Sequence, residues 1–128
     1  MAEVIFNETF KKAKATSRGL HIQQGSTMTS KVQLILNREY GFYENREAEQ
    51  LQELDITSAD VIITMTETQK REVKRRYGGE RVYSLKEMAG EKGDIVDPYG
   101  MDDETYTKTF REIRELVQRI SEFEQYRR

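Results

Sequence analysis

Val61-Ile62-Ile63-Thr64-Met65 is the stretch of the sequence that indicates the fold. It is a short, nearly continuous apolar run, which is typical of a parallel β-strand covered on both faces. Thr66 is a residue type that caps helices, and the residues from there through Arg76 predict a helix that stops at Gly78-Gly79. Arg81-Val82-Tyr83-Ser84-Leu85 then predicts a second short strand. A strand, a helix and a strand in this order predict parallel strands joined by a right-handed crossover.

The N-terminal third predicts two helices and one strand. Residues 1–18 have the composition of a helix, although the first six residues also fit a short strand. Leu20-His21-Ile22-Gln23-Gln24 alternates between apolar and polar residues, as a half-buried strand does. Residues 25–30 predict a loop whose last residue, Ser30, caps a helix that ends at Gly41.

The C-terminal part predicts a long loop followed by a long helix. Residues 86–101 contain the single proline of the sequence and predict the loop. Asp102 or Asp103 caps the helix, whose apolar positions recur at steps of three and four: Tyr106, Phe110, Ile113, Leu116, Val117, Ile120 and Phe123. The whole pattern predicts one domain, residues 1–128, of the α/β class, with a three-layer arrangement of mostly parallel strands flanked by helices.

Composition excludes several classes of protein. The 128 residues are 36% hydrophobic and 34% charged, and the formal net charge is −2. A nucleic-acid-binding protein normally carries a basic excess, so no nucleic-acid partner is expected. No apolar run approaches the roughly 18 residues of a membrane span, and the N-terminus lacks the pattern of a signal peptide, which favours a cytoplasmic location. With no cysteine and one histidine, the sequence predicts neither a metal site nor a cofactor.

Several short motifs follow one another along nearly the whole chain: Met1-Ala2-Glu3-Val4-Ile5-Phe6, Arg38-Glu39-Tyr40-Gly41, Asp55-Ile56 with Ala59 to Thr66, Tyr83-Ser84-Leu85-Lys86-Glu87, and Asp97-Pro98-Tyr99-Gly100. In this order they resemble the low-molecular-weight protein tyrosine phosphatases. The resemblance implies that Asp97 is a general acid and that Tyr99 is the aromatic residue that stacks on a substrate ring. Asp94 either steadies the same loop or is a solvated turn residue. Without the resemblance, Asp97 would be read as an ordinary Asp-Pro turn and Tyr99 as an exposed loop residue.

The nucleophilic loop of that family has no counterpart in this sequence. The family's cysteine lies in a loop of the form Cys-x-x-x-x-x-Arg-Ser/Thr, directly before the segment that Met1-Ala2-Glu3 resembles. Phosphoryl transfer there needs a thiolate, backbone N–H groups that hold the phosphate, and an arginine that grips it. Three positions that support the loop also differ from the family pattern. Gln24 replaces a serine, while Arg46 and Glu49 stand where a histidine and an arginine are usual.

Two functions of different classes follow from the resemblance. The first is a catalytically inactive relative that acts by binding a partner protein or a second copy of itself. The second is an N-terminally truncated form of an active phosphatase, which would hydrolyse phosphotyrosine or phosphoarginine with Asp97 as the general acid. A phosphorylated protein is a partner only if the missing loop is restored. The altered positions Gln24, Arg46 and Glu49 favour the first function.

The missing segment also implies a gap in the sheet. The family's parallel strands have the order 2-1-3-4, so the absent first strand is an inner one, and its loss leaves Leu20–Gln24 and Val61–Met65 with unpaired edges. Three repairs are open. The two strands close on each other, Ala2–Phe6 becomes the missing strand, or a second copy or another protein covers the edge. The last is favoured, because a run that is apolar on both faces does not tolerate water.

Three further features favour structural over functional roles. His21 has no partner motif for a metal and is predicted to be a strand residue. Gly25-Ser26-Thr27 favours a plain turn over a phosphate-binding loop. The helix predicted after Val61–Met65 carries a run of basic residues, which favours a solvated helix face: Lys70, Arg71, Lys74, Arg75 and Arg76.

Overall fold

The computed structural model describes residues 1–10, 12–23 and 25–126. Its elements are α1 (Ala2–Thr9), α2 (Ser30–Tyr40), α3 (Glu53–Ser58), β1 (Ile62–Thr64), α4 (Glu67–Tyr77), β2 (Val82–Ser84), α5 (Leu85–Met88) and α6 (Asp103–Tyr126). β1 and β2 run parallel, so the predicted α/β class is confirmed, but the sheet of the described residues contains only these two strands. No helix in this described part is long and apolar enough to cross a membrane.

The unit β1–α4–β2 forms as the sequence predicts. The Thr66 side chain accepts a hydrogen bond from the N–H of Gln69 at 3.1 Å, and the Gln69 side chain accepts the N–H of Thr66 at 3.3 Å. This capping box satisfies two N–H groups that the first turn leaves free, which fixes the start of α4. α4 packs on both strands and buries Val73, whereas Ile63 of β1 packs against the main core. The sheet therefore has helices on both faces.

α6 is the central packing element and contacts α1, α2 and α5. Asp102 is its cap, as predicted, because its carboxylate accepts both the N–H and the hydroxyl of Thr105 at 2.9 and 2.6 Å. Phe110 is fully buried, whereas Phe123, at the far end of the predicted stripe, is 46% exposed. The rest of the stripe joins residues of the other helices in one cluster: Val4, Ile5, Val32, Ile35, Leu36, Leu85, Tyr106, Ile113, Leu116, Val117 and Ile120.

The N-terminal helix is shorter than predicted. α1 ends at Thr9 and residues 12–18 are not helical, so the helix predicted over 1–18 is wrong beyond Thr9. The Asn7 side chain donates to the Ala15 carbonyl at 3.0 Å and accepts the Ala15 N–H at 2.6 Å, which holds the following segment beside α1. Residues 12–18 contain no large apolar side chain, and a helix this short is not stable without a face to bury.

The strand predicted over Leu20–Gln24 does not form in its described residues 20–23, and Gln24 lies outside the described residues. Isolated bridges stand on either side instead, and they join Gly19 to Gln50 and Thr27 to Glu47. A strand needs a neighbour along its length, and the alternating pattern of these residues does not supply one.

Two boundaries near helices also differ from the prediction. Thr29 caps α2 in place of Ser30, since its hydroxyl accepts the N–H of Val32 at 3.4 Å. Residues 86–88, predicted as loop, belong to α5. Ser84 and Glu87 form a capping box there, which makes one helical turn directly after β2.

β1 is left with one paired edge. In the described part of the chain, residues 20–23 do not pair with β1, and Ala2–Phe6 is helical, so the first two repairs of the gap are both wrong. Coverage of the edge by a second copy or another protein stays a prediction. Within Val61–Met65 only Thr64 is buried, and the other four residues are half-buried. The expectation of a strand covered on both faces is therefore not met within the single chain.

Candidate functional site

The loop that carries Asp97 is fastened to the carboxyl end of β1. The N–H of Ile95 donates to the carbonyl of Met65 at 2.9 Å, and the Ile95 side chain is buried. Asp94 accepts the N–H of Glu67 at 2.8 Å, so it ties the loop to the first turn of α4. This hydrogen bond favours the first of the two roles that the sequence left open for Asp94, that of steadying the loop. In open α/β folds this end of the strands is where ligands bind.

Asp97 lies in this exposed loop, at the place predicted for it. Its carboxylate accepts the N–H of Tyr99 at 3.0 Å, and the N–H of Met101 donates to the carbonyl of Pro98 at 2.8 Å. Gly100 has a φ of +78°, a conformation that side chains with a Cβ rarely adopt. A turn with Pro98 buried beneath it therefore holds Asp97 and Tyr99 toward solvent, and the Tyr99 side chain is 75% exposed.

A shallow cavity of about 310 Å³ opens beside this turn. Three parts of the chain line it, namely the start of α1, the approach to α2 and the Asp97 loop with α6: Met1, Thr27, Met28, Thr29, Val32, Asp97, Pro98, Tyr99 and Tyr106. The chain's α-amino group lies at this end of α1, and burial lowers its pKa, an effect that the charge of Glu3 opposes. The cavity thus combines a carboxylate, an aromatic ring and the N-terminus of a helix. Of these three groups, the helix N-terminus is the one that favours anions.

Lys31 lies next to this site, beside the ring of Tyr106, and the sequence did not indicate it. Its ammonium group donates to the carbonyl of Met101 at 2.8 Å and lies 3.2 Å from the carboxylate of Asp103. It also lies 5.5 Å from the centre of the Tyr106 ring. Lys31 therefore joins α2 to the end of the Asp97 loop and the start of α6. No local motif marks this role, because its partners lie seventy residues further along the chain.

Arg46 and Glu49 have partners away from the cavity. Arg46 forms an ion pair with Glu3, whose carboxylate also accepts the N–H of Ser17 at 2.8 Å. Glu49 pairs with Arg18 at 3.2 Å. Both residues therefore fasten the segment after α2 to the N-terminal region. The third altered position, Gln24, lies outside the described residues.

The remaining candidates are His21, the Gly25-Ser26-Thr27 segment and the basic residues of α4, and each contacts other residues of the fold. His21 is exposed beside the guanidinium group of Arg76, at 3.2 Å. The Ser26 N–H donates to the Gln23 carbonyl at 3.0 Å, which is a turn, as the sequence favoured. On α4, Lys70 donates to Glu87 at 2.7 Å, and this hydrogen bond raises the pKa of Lys70 and lowers that of Glu87. Part of the basic face of α4 is therefore neutralised by carboxylates of the same chain.

An α/β fold with an Asp-Pro-Tyr loop at the carboxyl end of a parallel strand, beside the N-terminus of a helix, is the framework of a phosphatase of the low-molecular-weight class. Comparison with known proteins agrees with this. The profile described as Low molecular weight phosphotyrosine protein phosphatase matches residues 1–125, and the chain belongs to this family.

Two protein phosphatases of staphylococci are among the relatives. The chain is 35% identical over 121 residues to the low molecular weight protein-tyrosine-phosphatase PtpB of Staphylococcus haemolyticus, and the match covers 94% of this chain and 86% of the relative. PtpB of Staphylococcus aureus is 28% identical over 123 residues, covering 95% and 87% of the two chains. The resemblance inferred from the sequence motifs is therefore confirmed.

Solved structures of the family superpose closely on this chain. The low molecular weight protein tyrosine phosphatase from T. tengcongensis is 33% identical, with a TM-score of 0.89, over 94% of this chain and 87% of that one. The YwlE arginine phosphatase from Geobacillus stearothermophilus is 26% identical, with a TM-score of 0.87, over 98% and 83% of the two chains. The elements that the structure describes thus have the arrangement of the corresponding parts of these family structures.

Proposed function

We propose that this member of the phosphatase family does not hydrolyse phosphate esters and acts by binding a partner at the open edge of β1. The absence of cysteine from all 128 residues carries the first half of the proposal. The family's covalent mechanism splits phosphoryl transfer into two steps through a cysteine thiolate, and no side chain here supplies one. A general acid at Asp97 has no leaving group to protonate unless a nucleophile attacks first.

The extent of exposed surface supports the second half. The chain of 15.1 kDa exposes 8959 Å² to solvent. A folded monomer of this mass exposes about 7,100 Å² by the general scaling of surface with mass, so the surplus is roughly 1,900 Å². A standard protein interface covers about 800 Å² on each partner. The surplus is thus large enough for an interface. At the edge of β1 the apolar residues are only half-buried, and these are Val61, Ile62, Ile63 and Met65.

Turnover of p-nitrophenyl phosphate by the purified chain tests the catalytic half. We expect no rate above a control without protein, since removal of the nucleophile also removes the steps that Asp97 would assist. The matched control is the variant Asp97→Asn, which keeps the size of the side chain and removes its acid function. Activity in the wild type that Asp97→Asn abolishes would show a working site and would contradict the proposal.

A second candidate function is phosphatase activity of a form of the protein that carries the missing loop. It is favoured by the intact Asp97 turn, which lies on the same cavity as the N-terminus of α1. The names of the relatives suggest phosphotyrosine or phosphoarginine in proteins as substrates. An in-frame Cys-x-x-x-x-x-Arg encoded just upstream of Met1, and activity of the chain extended by that segment, would support this function. A cytoplasmic location stays a prediction from the sequence for both functions.

A further inference from the structure

The Asp97 turn, which we define as residues 96–101, is fastened on its N-terminal side. The N–H of Ile95 donates to the carbonyl of Met65 at 2.9 Å, directly after β1. The carboxylate of Asp94 accepts the N–H of Glu67 at 2.8 Å, in the first turn of α4. Both hydrogen bonds lie before the turn begins. They fix the point from which the chain enters the turn, and the direction of the turn itself depends on other contacts.

The hydrogen bonds inside the Asp97 turn give it its shape. The carboxylate of Asp97 accepts the N–H of Tyr99 at 3.0 Å, and the N–H of Met101 donates to the carbonyl of Pro98 at 2.8 Å. Donor and acceptor of each bond belong to the turn, so movement of the turn as a unit breaks neither bond. Pro98 is buried beneath the turn, which adds packing and no hydrogen bond to another element.

Lys31 fastens the other side of the turn. Its ammonium group donates to the carbonyl of Met101 at 2.8 Å, and it lies 3.2 Å from the carboxylate of Asp103 and 5.5 Å from the centre of the Tyr106 ring. An ammonium group has three N–H donors and is attracted to the face of an aromatic ring, so it serves all three partners. In the described part of the chain, this is the one hydrogen bond that reaches residues 96–101 from outside the turn.

Lys31 occupies an unfavourable position in its own helix. It is the second residue of α2, whose first turn contains no acidic residue. A positive charge in the first turn of a helix opposes the helix dipole, so the lysine does not stabilise α2 through its charge. Residues that break a local rule in this way are expected where a site requires them. The compensating contacts of Lys31 are those with Met101, Asp103 and Tyr106.

The Lys31 hydrogen bond joins the two walls of the cavity. One wall is formed by residues 27–29 with Val32, and the other by residues 97–99 of the turn. Lys31 precedes Val32 in α2, and Met101 ends the turn. The bond between Lys31 and Met101 therefore fixes the separation of the two walls at the side of the cavity mouth.

We propose that Lys31 is a positioning residue, whose ammonium group holds the Asp97 turn against α2 and so sets the place of the Asp97 carboxylate and the Tyr99 ring beside the cavity. Loss of this group leaves the turn fastened by hydrogen bonds on its N-terminal side only, and the carboxylate and the ring then move together with the turn. The proposal goes beyond the proposed function, because it concerns the Asp97 turn and not the edge of β1, and it applies to both candidate functions.

The variant Lys31→Met of the full chain tests this, since methionine keeps most of the side chain's length and removes its charge and N–H donors. Amide hydrogen exchange, measured by NMR and corrected for intrinsic rates, is compared with the wild type. The Met101 and Tyr99 amides should exchange at least about tenfold faster in the variant, because the lost hydrogen bond involves a charged donor. The Ile95 amide, bonded to Met65, should change by less than about twofold.

Two further variants control for charge and for overall stability. Lys108 forms an ion pair with Glu104 at 3.4 Å in the first turns of α6, and no hydrogen bond joins it to the Asp97 turn in the described residues. Lys108→Met should therefore leave the exchange of the Met101 and Tyr99 amides within about twofold of the wild type. Lys31→Arg keeps the positive charge and the N–H donors, and it should restore the wild-type exchange to within about threefold.

Three results would overturn the proposal. Unchanged exchange at Met101 and Tyr99 in Lys31→Met means that other contacts hold the turn. Equal acceleration at Met101 and Ile95, together with a lower urea midpoint, means that Lys31 supports the fold as a whole and does not position the turn. Exchange in Lys31→Arg as fast as in Lys31→Met means that the charge and donors are not what fix the turn. None of these results depends on phosphatase activity or on binding at β1, so the proposed function is tested separately.

Discussion

The region around α6 is closely packed, whereas one edge of β1 has no partner strand in the described part of the chain. The cluster around α6 is closed, and in the described part of the chain none of its buried members lies in β1 or β2. β1 contributes to it only Ile63, which is half-buried, and Met65 follows the strand with similar exposure. The comparison indicates that helix packing, more than the sheet, holds this α/β fold together.

Truncation of a core aromatic residue gives the largest expected effect. Phe110→Ala should lower the free energy of unfolding by about 3–5 kcal/mol, because the ring is fully buried in the α6 cluster. Phe123→Ala is the matched control, since it is the same change on the same helix at a side chain that is 46% exposed, and it should cost less than about 1 kcal/mol. Urea unfolding measures both. Equal losses would mean that α6 does not hold the fold.

The sequence predicted the closed region better than the open one. The three-and-four spacing from Tyr106 to Ile120, with a capping aspartate before it, predicted α6, and the buried cluster confirms this. Thr66 likewise marked the start of α4. In both cases the signal is local, because the cap and the apolar face lie within the element itself.

The errors fall where structure depends on distant partners. The pattern of Leu20–Gln24 fits a strand, but a strand forms only beside another, and the neighbour expected from the family order is the missing one. Asn7 bonds to Ala15 and holds the segment after α1 beside the helix, and no composition rule predicts these bonds. At the candidate site, Asp97 was predicted from its motif, whereas Lys31 was missed because its contacts with Met101 and Asp103 are long-range.

Hydrogen exchange in the free protein compares the two edges of β1 directly. The Ile62 amide, bonded to Arg81, should exchange at least about tenfold more slowly than the Ile63 amide, a difference of about 1.4 kcal/mol in opening free energy. NMR exchange rates, corrected for intrinsic rates, provide the measurement. Equal protection of neighbouring amides would show that the edge at Ile63 is paired in solution, and the contrast between the two regions would then disappear.

Removal of a single methylene tests the same contrast through side chains. Ile5→Val, in the fully buried part of α1, should destabilise the chain by about 0.5–1.5 kcal/mol. Ile63→Val removes the same group from a half-buried position and should cost less than about 0.5 kcal/mol. Chemical denaturation of the two variants at equal protein concentration gives the comparison. A loss at Ile63 as large as at Ile5 would mean that something covers the free edge of β1.

The smallest expected effect is on the stability of the fold at acid pH. Hydrogen bonds from the hydroxyl and N–H of Thr105 lower the pKa of Asp102 below its ordinary value of 3.8. The folded state therefore favours the ionised carboxylate. This contribution is fully present above the unfolded pKa and is lost as the pH falls through the lower, folded pKa. Since Asp102 is exposed, screening keeps the contribution small.

Asp102→Asn isolates this effect, because asparagine also caps helices and keeps an acceptor for the Thr105 N–H, but carries no charge. We expect the variant to unfold at nearly the wild-type urea concentration at pH 7, and to lose less stability than the wild type between pH 5 and pH 2, the range about the ordinary value of 3.8. Asp103→Asn is the matched control, since it removes a charge one residue further along and leaves the Thr105 bonds in place. If both variants follow the wild-type acid profile, the cap at Asp102 does not contribute to the stability of the α6 region.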